Sequence, residues 1–384
     1  MRVYFDNAAS TPLDQSVMEA MLPYMQEHFG NPSSIHGHGR TTRSAIEVAR
    51  KKIAELLGAA PSEIFFTSGG TEADNMAIFG SIEALNIQHA VSSPLEHHAV
   101  LHALEHQAKT GKVQLTMLEV DSQGNLNLDQ LKHILQNQKN TLVSLMHANN
   151  EIGNLYDIQA IAEICREYQA VFHSDTVQTV GHFPLNLHEL KVGFIAGTAH
   201  KFHGPKGIGL IYINSDYNIP SLIHGGSQER NMRGGTENVY GIVGMTKALE
   251  LAYQNMEADR LHILGIKEYM IQKLQNANIE GLVFNGACTD PDKSLYTVLS
   301  VSLPPSDINE MLVFNLDIHQ ISASAGSACT SGSHVGSHVL QALGLPSDYA
   351  TIRFSFSKFN TKAEVDYVVD TLKKLYQNHK IAQA

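Results

Sequence analysis

The stretch Glu63–Leu85, EIFFTSGGTEADNMAIFGSIEAL, decides the fold. Its opening EIFF is a short apolar run of strand length. TSGG follows, small polar residues and two glycines that turn the chain. TEADNMAIFGSIEAL then reads as a helix. Strand, glycine turn and helix make the unit of an α/β protein. HAVSSPLEHHAVLHALEHQ repeats the plan, as do TLVSLMHANNEIG and AVFHSDTVQTVG. VGFIAGTAHKFHGPKGIGLIYI reads as strand, polar loop, strand. The repetition predicts a mostly parallel sheet covered by helices.

Further along, a long helical pattern begins around LELAYQNMEADRLHILGIKEYMIQKLQ. After it come LVFNG, YTVLSVSL, TIRFSFS and a last helix from about Thr361, the parts of a smaller α+β unit. A chain of 384 residues exceeds one small core. The expected division is a large unit at 15–255 and a small one built from 1–14 and 256–384. The formal charge of −11 disfavours nucleic acid or a membrane surface as a direct partner. No apolar run is of bilayer length. The opening MRVYFDNAASTPLD lacks the apolar core of a signal peptide, so the cytoplasm is the expected compartment. The three cysteines form no CxxC pair, which argues against a disulfide framework or a zinc ribbon. Cys165, in AEICREY, is expected in the core, and Cys288, in NGACTDPDK, in an exposed turn. Cys329 lies in SAGSACTSGS, among residues with almost no side chain.

In an open parallel sheet, ligands sit beyond the carboxyl ends of the strands. Three motifs fall at such ends. TSGGTE starts a helix, where backbone N–H groups and the helix dipole favour a phosphate. It matches neither a Walker loop nor the dinucleotide fingerprint. HSDTVQ places Asp175 at a strand end with Gln178 beyond it. GTAHKFHGPKG places His200 and Lys201 directly after another strand, where a buried lysine is costly unless it is bonded. Each alone reads as an N-cap, a cap or a loop lysine. Together a phosphate cup, a carboxylate and an amine are the parts of a pyridoxal-phosphate site. His97, in LEHHAV, is placed to stack on the ring and shuttle protons. His98, His102 and His106 share a helix face at a spacing that metals use; a solvated face is the expected reading, and no metal is expected.

These motifs bring a family into view. YFDNAASTPLD, FGNPSSIHGHG, FTSGGTEADN, EHHAV, MHANNEIG, HSDTVQTVG, HKFHGPKGIG, HGGSQERNMRGGTENV, SAGSACTSGS and IRFSFSKFNT occur in order. The sequence resembles, almost end to end, the cysteine desulfurases of the NifS/IscS type. These belong to the class V aminotransferases, within the fold-type I pyridoxal-phosphate enzymes. The resemblance implies pyridoxal 5'-phosphate carried by Lys201, with Asp175 on the ring nitrogen, Gln178 on the ring hydroxyl and His97 stacked on the ring. It implies a phosphate cup of Gly70, Thr71, Thr198 and His200, completed by Thr236 of a neighbouring subunit, hence a homodimer. Asn150 and Arg353 would grip the substrate, the planar guanidinium suiting a carboxylate.

Cys329 would take sulfur from L-cysteine as a persulfide, leaving L-alanine, and pass it to an acceptor protein for iron–sulfur cluster assembly or thiolation. The loop resembles group I of the family. The alternative is another class V enzyme, an aminotransferase or a lyase, that does not use Cys329. Three departures stand out. Thr198 occupies a usual serine position but keeps the hydroxyl. HSDTVQ replaces the usual valine and alanine around Asp175. The sequence closes on KKLYQNHKIAQA without the longer tail by which the IscS branch is associated with scaffold docking, so the pathway stays open.

Overall fold

A computed structural model of the chain describes residues 1–325 and 337–378. Cys329 lies outside the described residues.

Seven strands form the large sheet. From edge to edge they are Ile64–Thr67, Gly209–Ile213, Phe194–Thr198, Val171–Asp175, Thr141–Ser144, His89–Ser92 and Gln114–Met117. Only Gly209–Ile213 runs against the other six. The loop 199–208 is too short for a crossover, so this strand folds straight back on Phe194–Thr198 as an antiparallel neighbour. Successive side chains alternate between two covered faces. Phe66, Val143, Phe172 and Ile195 enter one apolar cluster, and Phe65, Leu142, Val171 and Phe194 enter the other. This two-sided burial is why the strands read as apolar runs rather than alternating ones. The six parallel strands end at Thr67, Ser92, Met117, Ser144, Asp175 and Thr198, all at one end of the sheet.

The repeated strand–helix plan holds only in part. Helices Gly70–Ala84 and His98–Lys109 follow their strands closely. After Asp175, however, the chain makes consecutive hydrogen-bonded turns. Thr176 O accepts from both Thr179 and Val180, and the next helix waits until Leu187.

The long helix spans Val239–Gln275, ten residues earlier than its sequence pattern suggests. Gly241 and Gly244 blur the pattern there. Gly244 lets the helix pack closely, since a Cβ there would stand 2.6 Å from Met21 Sδ. Val239, Ile242, Met245 and Leu249 of this helix join the large-sheet core. Ile263, Ile266, Met270 and Leu274 join a second cluster with Val3, Phe5, Leu299 and Phe354. That cluster covers a three-stranded antiparallel sheet of Ala350–Ser355, Val298–Leu303 and Val283–Phe284. Beside it, Val3–Tyr4 pairs in parallel with Ile321–Ser322. Val339 and Leu343, from helix His338–Ala342 and its end, pack on the large-sheet side.

One segment is strained. Glu229, Arg230 and Asn231 all have positive φ, at 43°, 56° and 67°, a region non-glycine residues avoid. A buried bidentate ion pair holds it, with Arg50 Nη1 and Nη2 each 2.8 Å from a Glu229 carboxylate oxygen. The Phe66 N–H donates to the same carboxylate at 2.8 Å.

Cys165 is buried, as a core thiol should be. Cys288 is a correction. It is fully buried, not an exposed turn thiol, and its sulfur donates to the Ser300 carbonyl at 3.4 Å. The turn Ala287–Asp290 folds under the small sheet, so the polar residues after Cys288 mark the turn's rim and not its inner side.

Candidate active site

At the carboxyl edge of the large sheet is a cavity of about 220 Å³. Its walls bring together Gly70, Thr71, His97, Asn150, Asp175, Gln178, Thr198, His200, Lys201 and Arg353. Arg353 arrives from the small sheet and the rest from the large one. Thr236 is not among them. It lines a neighbouring cavity with Phe66, Gly207, Glu229 and Arg233.

Lys201 ends a single 3-10 turn, Ala199–Lys201, that follows the strand Phe194–Thr198. Its Nζ donates to the carbonyls of Ala8 and Ala9, the latter at 3.0 Å. Gln178 Nε2 donates to the same Ala8 carbonyl at 3.1 Å. Ser10 Oγ meets His200 Nδ1 at 3.4 Å, and Thr11 Oγ1 donates to the His200 carbonyl at 3.0 Å. The stretch 8–11 therefore floors the site around Lys201, Gln178 and His200.

Asp175 accepts from the Val177 N–H at 2.9 Å. Burial pushes its carboxyl up to about 6, against the opposing pull of that N–H and of Lys201. Asp74, one turn into the helix Gly70–Ala84, also lines the cavity and is buried. Burial, then the Asp175 and Glu96 carboxylates, raise it well above the usual range. Its Oδ1 lies 3.3 Å from His173 Nε2. His173 Nδ1 is 2.8 Å from Ser144 Oγ, and burial lowers this imidazole to about 3, so the ring is neutral. Glu96 is raised by burial, although it accepts from the Met146 N–H at 2.7 Å.

His97 caps the helix His98–Lys109, its Nδ1 accepting from the Ala99 N–H at 3.2 Å. Burial first, then Lys201, lower it to about 4. It is therefore neutral at physiological pH, and the accepting Nδ1 leaves the proton on Nε2. His200 is likewise lowered to about 4, by burial and then by Lys201 and Lys206.

A more open hollow adjoins the cavity, lined by Ser68, Gly69, Gly70, Thr71, Thr198, His200 and Lys206. It sits at the amino end of the helix Gly70–Ala84, where N–H groups and the dipole suit an anion. Glu72 in that first turn would oppose an anion, but Arg233 Nε binds it at 2.9 Å. Gly70 lets the helix start press against the turn after Asp175, since a Cβ there would stand 2.6 Å from Val177 Cγ2. Thr198 Oγ1 donates to the Ile208 carbonyl at 3.1 Å. An anion hollow, a buried acid and an amine around one cavity are a donor set that fits pyridoxal phosphate.

Arg353 is nearly fully buried, and it points Nη2 at Asp6 Oδ1 (2.8 Å) and Nη1 at the Asn150 carbonyl (3.0 Å). Beside Asn150, Glu151 accepts from Ser337 Oγ at 2.5 Å. His98, half-buried, stacks on His102 and meets His338 at a tilt, with ring centroids 4.7 and 4.5 Å away. His102 and His106 are exposed. Among the described residues no histidine, cysteine and carboxylate group is arranged to hold a metal. Sequence reasoning gave no role to Asp6, Ala8, Ala9, Asp74, Glu151 or His338. Asp6, Ala8 and Ala9 stood within a quoted motif, but spacing alone cannot link them to partners some 190 or more residues away.

Residues 3–368 match the family described as aminotransferase class-V. A protein named cysteine desulfurase IscS from Dictyoglomus turgidum is 44% identical over 381 residues, covering 98% of this chain and 94% of its own. One of the same name from Methanosarcina thermophila is 42% identical over 98% of this chain and 92% of its own. A solved structure of a NifS-like protein superposes with a TM-score of 0.89 at 36% identity, covering 98% of this chain and 99% of that one. Another, SspA in complex with cysteine, gives 0.78 at 30% identity over 94% of this chain and 100% of its own.

Proposed function

The chain belongs to the aminotransferase class-V family, and from that membership we propose that it is a pyridoxal-phosphate-dependent cysteine desulfurase that moves sulfur from L-cysteine onto Cys329. The observation that carries this reading is the single cavity shared by Lys201, Asp175, His97 and Arg353. The relatives named cysteine desulfurase, matched along nearly their whole length, support it.

Lys201 would carry the cofactor, Asp175 would face its ring nitrogen and Gln178 its ring hydroxyl. The anion hollow at Gly70, Thr71, Thr198 and His200 would take its phosphate. When bound, the cofactor supplies an electron sink for the substrate α-carbon. The chain's residues do the rest. Arg353 and Asn150 hold the substrate, with the guanidinium on the carboxylate. Lys201 Nζ, kept beside the cavity by the Ala8 and Ala9 carbonyls, removes the α-proton. Neutral His97 presents Nε2–H as a donor. The Cys329 thiolate forms an S–S bond to the substrate sulfur as the C–S bond breaks. The β-carbon keeps the electron pair and takes a proton, Lys201 returns a proton to the α-carbon, and L-alanine leaves with a persulfide remaining on Cys329.

The family resemblance supports a homodimer in which Thr236, which lines a hollow beside the cavity, completes the partner's phosphate cup. The persulfide needs an acceptor protein, of iron–sulfur assembly or of thiolation, and a reducing compartment, for which we take the cytoplasm. Among the described residues no helix is long and apolar enough to cross a membrane.

The test measures sulfide and L-alanine released from L-cysteine by holoenzyme with a thiol reductant, beside Lys201→Ala and Cys329→Ala. Equal amounts of both products, lost in both variants, are expected. Pyruvate or an amino-transfer product, with Cys329→Ala active, would move the chain to another activity of the family.

A further inference from the structure

Arg353 is held in a particular way before any substrate arrives. Burial of a guanidinium is costly unless it is paired. Its Nη2 meets Asp6 Oδ1 at 2.8 Å and its Nη1 meets the Asn150 carbonyl at 3.0 Å. Its Nε is buried with no hydrogen-bond partner among the described residues, and the side chain lines the cavity. A guanidinium has five N–H donors. Asp6 and Asn150 use one each on Nη2 and Nη1, fixing the plane of the fork, and the second N–H of each remains for a ligand.

Asp6 is itself fixed. Its residue bridges to Ser355, and the Ser355 N–H donates to the Phe5 carbonyl at 2.8 Å. The oxygen that binds Arg353 also accepts from Ser324 Oγ at 2.8 Å. Ser324 pairs backbone to backbone with Arg353: the Arg353 N–H donates to the Ser324 carbonyl at 2.7 Å, and the Ser324 N–H donates back at 3.3 Å. Ser324 precedes Cys329 by five positions in the sequence. One carboxylate oxygen thus joins the arginine of the cavity to the chain that leads to the sulfur-accepting cysteine.

We propose that Asp6 is a positioning residue with two arms: it aims Arg353 at the substrate carboxylate, and through the same oxygen it fixes Ser324 on the approach to Cys329. The proposal rests on the reading of Arg353 as the carboxylate site. Asp6 touches neither substrate nor cofactor and acts through these two neighbours. A simple counter-charge would instead compete with the substrate carboxylate. The two roles predict opposite changes in KM.

The experiment compares Asp6→Ala, Asp6→Asn, Ser324→Ala and Arg353→Ala as holoenzymes, reading kcat and KM for L-cysteine, calorimetric binding of L-alanine, and cofactor content. Asp6→Ala is expected to raise KM about tenfold or more, weaken L-alanine to match, and lower kcat. Asp6→Asn keeps an acceptor oxygen and is expected to recover most of both. Ser324→Ala touches one arm only; kcat is expected to fall about threefold with KM within about twofold of the parent. An unchanged or lower KM in both Asp6 variants would overturn the proposal, as would a Ser324→Ala enzyme with unchanged kcat. Arg353→Ala separates the two levels. If it leaves KM and L-alanine binding intact, the carboxylate reading itself fails. If it raises KM and abolishes L-alanine binding while Asp6→Ala leaves both unchanged, only the role of Asp6 fails.

Discussion

Asp175 sits where burial works against its charge, and its carboxyl titrates near 6. An acid raised by burial is protonated below that value and charged above it. Its negative charge, the feature a ring nitrogen needs, is therefore lost as pH falls through about 6. Cofactor uptake by the apoprotein, followed by absorbance, is expected to weaken below that pH. Asp175→Asn is expected to flatten the dependence and lower cofactor retention at neutral pH by about tenfold or more. Unchanged retention would remove Asp175 from the ring nitrogen. This residue was legible in the sequence because it ends an apolar strand in a polar turn. Lys201 and His97 were legible for the same reason. Asp74 was not. It lies inside a helix and reads as an ordinary polar position, and only the fold shows that it faces the cavity. Cys288 misled because turn residues surround it, and a local pattern does not say which side of a turn is covered.

Two elements around the site depend on single residues. At Gly70, alanine would gain about 0.5–1 kcal/mol of helix preference. Its Cβ, however, would stand 2.6 Å from Val177 Cγ2, and overpacking of this kind costs about 1–3 kcal/mol. The second effect wins, so Gly70→Ala is expected to destabilise the protein and loosen the cofactor, read by thermal unfolding and dissociation rate. The turn at Glu229–Asn231 has three residues in the left-handed region. It is tied down by Arg50. Glu229→Ala would leave that guanidinium buried without its bidentate partner, at a cost of about 3–5 kcal/mol, measurable by denaturant unfolding. The strand–turn–helix units were legible from apolar runs and glycines. This strained turn was not, because QERN carries no glycine to announce it.

At the scale of the whole molecule, the helix Val239–Gln275 serves both apolar clusters. Glu257, exposed between its two packed ends, marks the stretch where it is least supported. Proline there would remove a backbone donor and cost about 3 kcal/mol. Glu257→Pro is expected to split a single calorimetric transition into two and to raise KM for L-cysteine, since Arg353 and Lys201 come from opposite sides. A single sharp transition with normal KM would show that other contacts hold the two cores in register.

The opening strand has a different consequence, for the order in which the protein is made. The Asn7 side chain donates to the Ser355 carbonyl across 348 positions, and Asp6 bridges to Ser355. On the ribosome, Ala8, Ala9 and Thr11 can meet Gln178, His200 and Lys201 once these are made, but Asp6 and Asn7 must wait for Ser355. Contacts so far apart along a chain form slowly and late. The floor beneath Lys201 is therefore anchored at its far side only after Ser355 has emerged. A nascent chain halted short of Ser355 would carry the lysine, the acid and the anion hollow, and still lack the partner that anchors the floor beneath them.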